Sequence, residues 1–145
     1  AETLLKDAGG MNVFDFGGVI TAANTVKLCG NFLIASALEA IGESINLAQK
    51  SGVDPKQMWN MLSQTLFNTP VYTNYSNIIL QKQFEPAAFT MKLGLKDMNL
   101  VHQLASSVNQ SMPLVELLQK NMKQIVENGK PEIDWSAVAT AGNSN

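Results

Sequence analysis

Two lysine-bearing segments hold the residue types with which this chain could do chemistry. The first reads Lys27-Leu28-Cys29-Gly30-Asn31; the second reads Phe89-Thr90-Met91-Lys92-Leu93-Gly94-Leu95-Lys96-Asp97. On a helix, Lys27 and Asn31 share one face, about 6 Å apart. An ammonium and a carboxamide then stand side by side on an otherwise apolar surface. In a partly dry cleft, fixed donors of this kind polarise a carbonyl or hydroxyl and pass it a proton. The plainer readings are a lysine that carries its charge out to water along an apolar helix and an asparagine that hydrogen-bonds between helices. Lys96 beside Asp97 reads plainly as a solvated pair of little energetic weight. Phe89, as a lone aromatic, reads as core.

The elements that must position these groups follow from periodicity and punctuation. Thr21 to Ser51 lacks proline and is rich in Ala, Leu and Ile, which predicts one helix of about 30 residues, about 45 Å long. Gly52 closes it at C′. Asp54 as N-cap and Pro55 at N1 start a second helix, expected to run to Phe67. Asn68-Thr69-Pro70 breaks it, and Val71 to Leu80 resumes as helix. Gln81 to Pro86 is a loop. Thr90 to Ser107 is helical, with Leu93, Leu100, Val101 and Leu104 at helix spacing. Met112-Pro113 opens another helix that Asn128-Gly129 closes. Asp134 to Val138 is a short capped helical turn, and Asn143-Ser144-Asn145 a frayed tail. The fold class is therefore all-α, a multi-helix bundle built on one long N-terminal helix.

Ahead of that helix, Ala1 to Ala8 reads as helix stopped by Gly9-Gly10. Met11 to Phe16 reads as one short strand ended by Gly17-Gly18. One helix and one strand do not make a stable sheet. Residues 1–18 accordingly read as the tail end of another domain, and 19–145 as the helical domain.

Composition narrows the function classes. At 145 residues, 46% hydrophobic and 15% charged, the chain can bury one respectable core. The net charge is −2, and all ten cations are scattered lysines. That argues against nucleic acid, which calls for a basic patch or stripe. It also removes the arginine fork that clamps carboxylate or phosphate. One cysteine and one histidine exclude a disulfide framework and leave no metal set. Cys29 is expected in the core. His102 has no recognisable partner for catalysis. The seven methionines, Met58, Met61, Met91 and Met98 among them, read as core filler. The apolar stretch Leu28 to Ile41 holds Asn31 and Glu39 and is short for a bilayer span, so no membrane partner is expected. No targeting segment is visible, which reads as a reduced, cytoplasmic setting. G-x-G-x-x-G, G-x-S-x-G and H-E-x-x-H are absent, and neither glycine pair is a dinucleotide loop.

Taken in order, the motifs resemble the C-terminal helical domain of the β-hydroxyacid dehydrogenases. That family includes 3-hydroxyisobutyrate dehydrogenase, tartronate semialdehyde reductase and plant-type glyoxylate/succinic semialdehyde reductase, with 6-phosphogluconate dehydrogenase more distant. Its pattern is G-x-G-x-x-x-K-x-x-x-N, a long helix, a G-hydrophobic-D-P turn, then F…K-D. Here it reads Thr21 to Lys27 with Asn31, then Gly52-Val53-Asp54-Pro55, then Phe89 with Lys96-Asp97. The likeness runs from about Gly17 to Val138. Thr21 and Ala23 stand where the family has glycines, which implies a bulkier entrance and an altered substrate range.

The resemblance implies an NAD(P)-dependent oxidoreductase interconverting a small β-hydroxyacid and its semialdehyde. Lys27 would be the general acid/base, donating a proton to the carbonyl oxygen as hydride arrives and removing it in reverse. Asn31 would orient the substrate or hold Lys27. Lys96, Phe89 and Asp97 would form the cofactor side: Lys96 near the nicotinamide, Phe89 shaping the pocket, Asp97 setting Lys96 or capping nearby backbone. NAD or NADP would be bound mainly by a Rossmann domain whose last helix and strand are residues 1–18. The enzyme would be a homodimer or homotetramer, and this chain alone inactive. An imine-reducing branch typically replaces the lysine, so Lys27 argues for hydroxyacid or aldehyde chemistry. The alternative is a non-catalytic helical module for oligomerisation or ligand binding.

Overall fold

The computed structural model describes Asn12 and residues 14–143. Five α-helices and one 3-10 helix follow in chain order: α1 (Ala22–Lys50), α2 (Pro55–Gln64), α3 (Pro70–Gln81), α4 (Met91–Ser107), α5 (Pro113–Glu127) and the 3-10 helix η1 (Trp135–Asn143). Among the described residues there is no sheet, only an isolated bridge between Thr90 and Asp134. The helix expected over Ala1 to Ala8 lies outside the described residues, as do Met11 and Val13 of the expected strand. Phe14 to Phe16 are exposed and irregular. A lone strand has no ladder to join here, and an unpaired strand does not hold its form.

Helix α1 is the axis of the bundle, and α2, α3, α4, α5 and η1 all pack on it. Its 29 residues are mostly strong helix formers. Ser51 donates its backbone N–H back to Leu47 and Ala48, and Gly52 leaves the helix at φ +79°, the left-handed exit for which glycine is suited. By length and apolarity α1 also passes for a membrane span, although Leu28 to Ile41 alone is too short. Much of its apolar surface is used inside the bundle: Leu38 and Ile41 are fully buried with Met91, Met98, Val115, Leu118, Met122 and Val138. At about 25 cal/mol per Å², burial of such side chains is the main favourable term for the fold.

Local chemistry sets the remaining boundaries. The Asp54 carboxylate accepts the Lys56 N–H at 2.9 Å and caps α2. That helix stops at Gln64, short of the expected Phe67. The Thr65 hydroxyl bonds back to Met61 O at 2.9 Å, and Phe67 turns its ring onto Tyr72 at 4.8 Å, beside Trp59. Pro70 opens α3 at its first turn instead of merely breaking α2.

Helix α4 is tied to the segment before η1. Met91 N–H donates to Ile133 O and Lys92 N–H to Pro131 O, at 2.8 and 3.0 Å. Of the four α4 residues predicted to share the inward face, Val101 is buried and Leu104 half-buried, but Leu93 and Leu100 are exposed, and Met91, Gly94, Met98 and Ala105 face inward with Val101. Gly94 is the reason. A Cβ there would meet the Trp135 side chain at 3.1 Å, so its absence lets α4 lie close on η1. Of the methionines, Met91 and Met98 are core as expected, whereas Met61 is 56% exposed.

Candidate active site

The first half of α1 and the middle of α4 meet at three of the residues singled out above. Asp97, buried on α4, accepts from Asn31 Nδ2 through its Oδ2 at 2.5 Å. Its other oxygen lies 3.8 Å from Lys27 Nζ. A carboxylate with a donor on one oxygen and a cation by the other is a stable buried arrangement. It joins residues 66 apart in sequence. Asn31 is thus the interhelix hydrogen bond of its plain reading, and the same bond sets it beside Lys27. Asp97 pairs with Lys27, not with its neighbour Lys96 as the plain reading had it.

Lys27 is 60% exposed, so no dry cleft surrounds it within this chain. Between Ile20 and Leu33 only Leu28 is buried, because the helices that cover the second half of α1 do not enclose the first. Cys29 is likewise exposed, against the expectation of a core residue. It sits 100° around the helix from Leu28, on the open side. Thr21 and Ala23, in the places of the two family glycines, are exposed too.

Lys96 is exposed and makes no ion pair among the described residues. Phe89 is half-buried, edge-on to Trp135 with ring centroids 4.7 Å apart. Its backbone is fixed by Asp134, whose Oδ2 accepts from Ala88 and Phe89 N–H at 3.1 and 3.3 Å. The other Asp134 oxygen accepts Ser136 N–H and Oγ–H, at 2.9 and 2.6 Å. This buried carboxylate therefore holds both the start of η1 and the approach to α4. Only its capping role was legible in the sequence. Trp135 Nε1 donates to the Tyr75 hydroxyl at 2.9 Å. Burial raises the Tyr75 pKa above its ordinary value, the Trp135 hydrogen bond opposes the rise, and the Asp134 charge adds to it.

Two groups that sequence reasoning passed over stand out. Glu39 is only 6% exposed. Its Oε1 accepts from Asn121 Nδ2 at 2.8 Å, and its Oε2 is buried without a partner. Burial pushes its pKa up to about 7; the Asn121 bond opposes this, and Glu43 one turn on adds to it. The other is Gly42, where a Cβ would sit 2.5 Å from Ala139 backbone and side-chain atoms. His102 is exposed. No group of three metal-ligating side chains exists among the described residues.

The family described as "NAD-binding of NADP-dependent 3-hydroxyisobutyrate dehydrogenase" matches residues 21–141. YfjR, an uncharacterised oxidoreductase of Bacillus subtilis, is 40% identical over 134 residues, covering 92% of this chain and 46% of that protein. The chloroplastic glyoxylate/succinic semialdehyde reductase 2 of Arabidopsis thaliana is 33% identical over 135 residues, covering 93% of this chain and 37% of that protein. A crystal structure of 3-hydroxyisobutyrate dehydrogenase from Salmonella typhimurium shares the fold, with a TM-score of 0.83 at 23% identity over 95% of this chain and 49% of that one. The chain spans less than half the length of these relatives. Because one family accounts for nearly all of its helical length, the chain belongs to the β-hydroxyacid dehydrogenases, the 3-hydroxyisobutyrate dehydrogenase-like oxidoreductases.

Proposed function

We propose that this chain is the helical substrate domain of an NAD(P)-dependent oxidoreductase that interconverts a small β-hydroxyacid and its semialdehyde, with Lys27 as general acid/base. The observation that carries the reading is the Asn31–Asp97–Lys27 contact: a buried carboxylate reaches across two helices to the lysine that the family pattern selects. In this reading the nicotinamide supplies or takes up the hydride when bound. The chain contributes the proton. Lys27 donates it to the carbonyl oxygen of the semialdehyde and recovers it from the hydroxyl in reverse. Asp97 aims the ammonium, and Asn31, with its amide nitrogen spent on Asp97, turns its carbonyl oxygen towards the substrate.

The residues present suit only part of a dinucleotide. No glycine-rich phosphate loop exists in the sequence, so the pyrophosphate belongs to a separate Rossmann domain, of which residues 1–18 would be the last segment. Lys96, exposed and unpaired among the described residues, is free to reach the nicotinamide side. Phe89, fixed on Trp135, forms a wall. The exposure of Lys27 supports the same picture: a second domain closing over α1 would exclude water there. Cys29, Ala40 and Leu47 form an exposed stripe on the side of α1 turned away from Lys27, which supports a dimer or tetramer.

The test is oxidation of NADPH and NADH by the intact enzyme with a panel of small semialdehydes, wild type against Lys27→Ala. Turnover should fall about 10²- to 10⁴-fold in the variant, with cofactor binding, read by nucleotide fluorescence, retained. A wild type inactive across the panel, or a variant with near-wild-type turnover, overturns the reading; the former turns attention to a non-catalytic helical module.

A further inference from the structure

Gly30 is a glycine that this fold does not need. It lies inside α1, more than two turns from either end, where glycine is the poorest helix former after proline. The two packed helical glycines have a reason in their neighbours. A Cβ at Gly42 would strike Ala139, and one at Gly94 would press on Trp135. A Cβ at Gly30 would meet nothing within 4 Å.

Its place on the helix is next to the proposed proton donor. Gly30 and Asn31 both follow Lys27 by one turn, on either side of it. The Asn31 side is closed by Asp97 of α4. The Gly30 side is open. Its other surface neighbours at three- and four-residue spacing are Val26, Leu33 and Ile34, of which Val26 and Leu33 are exposed at 44% and 65%. The result is a notch with an ammonium on one edge and apolar side chains on the others.

The geometry points to Gly30 as a specificity-determining residue, a notch beside Lys27 that receives the apolar, non-reacting substituent of the substrate. The inference rests on the reading of Lys27 as proton donor. A substrate with its carbonyl oxygen at the ammonium has two ways to extend along α1, and Asp97 with Asn31 occupies one of them. A carbon substituent takes the other, where the missing Cβ leaves room and Val26 and Leu33 offer apolar contact. Pockets distinguish substrates that differ by one methylene about 10- to 200-fold, so a single methyl group at position 30 is enough to read.

The experiment compares Gly30→Ala with wild type in the intact enzyme, on an unbranched semialdehyde and on analogues bearing a methyl or ethyl branch beside the aldehyde. The variant should lower kcat/KM for the branched analogues at least tenfold more than for the unbranched one, while its Tm rises by about 4 °C from better helix propensity. A loss equal for all substrates, with weaker cofactor binding, means that the cofactor domain meets position 30, and overturns the inference. A fall in Tm means that the fold requires this glycine, and overturns it as well. An active wild type whose substrate preference Gly30→Ala leaves unchanged sinks the notch alone. A wild type inactive on every analogue sinks the proton-donor reading and the notch with it.

Discussion

The two halves of α1 are one continuous helix with opposite surroundings. From Ala35 to Ala48 its inward residues are buried by α4, α5 and η1, and Gly42 is there because Ala139 leaves no space for a Cβ. From Ala22 to Leu33 the same helix carries Val26 and Leu33 in the open, and Gly30 faces empty space. A glycine in a helix interior costs about 1 kcal/mol relative to alanine. In the second half packing within this chain repays that cost. In the first half nothing in this chain does. The bundle of this chain accounts for the second half of α1 and leaves the first half, around Lys27, uncovered.

The largest stability effect should come from forcing a side chain into the packed half. Gly42→Ala places a methyl group 2.5 Å from three Ala139 atoms, two of them backbone, so η1 must move. Overpacking of this kind costs about 3 kcal/mol or more when backbone has to yield, well above the gain in helix propensity. Thermal unfolding of the chain should show a drop in Tm of many degrees, against the rise expected for Gly30→Ala. Two glycine-to-alanine changes with the same sign would erase the distinction between the halves.

Next in size is Glu39, the buried acidic group in the packed half. Burial pushes its folded pKa up to about 7 from the ordinary 4.5, so the native state binds the proton more tightly than the unfolded chain. Stability contributed by that proton is complete below about pH 4.5. It is lost as pH rises through about 7, and stays lost above. The shift corresponds to about 3 kcal/mol across that window. Glu39→Gln keeps an oxygen for Asn121 and carries no charge. Its Tm should match wild type near pH 4.5, exceed it increasingly towards pH 7, and run parallel above pH 8. A wild-type curve parallel to that of the variant from pH 4.5 to 8 would mean that the carboxyl is solvated in solution.

Much of this was legible in the sequence, for reasons that differ by element. Asp54-Pro55 and Met112-Pro113 announce helix starts by local chemistry alone, and the helices begin there. Lys27 with Asn31, and Asp97 with Lys96, stand out in the sequence as two separate pairs; the structure brings Asp97 to the first pair instead. That pairing was not legible, because it depends on which face of α4 turns to α1. Leu93 and Leu100 suggest one face, and the close approach at Gly94 selects another, which buries Asp97. Cys29 went astray for the same reason: an apolar run shows a helix but not which side its partners cover. Gly30 and Gly42 look alike in sequence, twelve residues apart. Only the presence or absence of Ala139 opposite them separates their roles. Glu39 hides in an apolar stretch as a charge that looks surface-bound until Asn121 is found facing it.

The smallest effect is the one that locates Lys27 in the open half most directly. Its contact with Asp97 is long, at 3.8 Å, and its side chain is 60% exposed, so the pair resembles the surface ion pairs whose net worth is about 0–1 kcal/mol. Lys27→Met should therefore move the Tm of this chain by no more than about 2 °C. Asn31→Ala should cost more, about 2 kcal/mol, since it strips the buried Asp97 carboxylate of its hydrogen-bond donor. The asymmetry matters because both residues touch the same carboxylate. If Lys27 were there to balance a buried charge, its loss would destabilise the chain at least as much as the loss of Asn31. A near-silent Lys27→Met beside a destabilising Asn31→Ala assigns Asn31 to the fold and leaves Lys27 for chemistry.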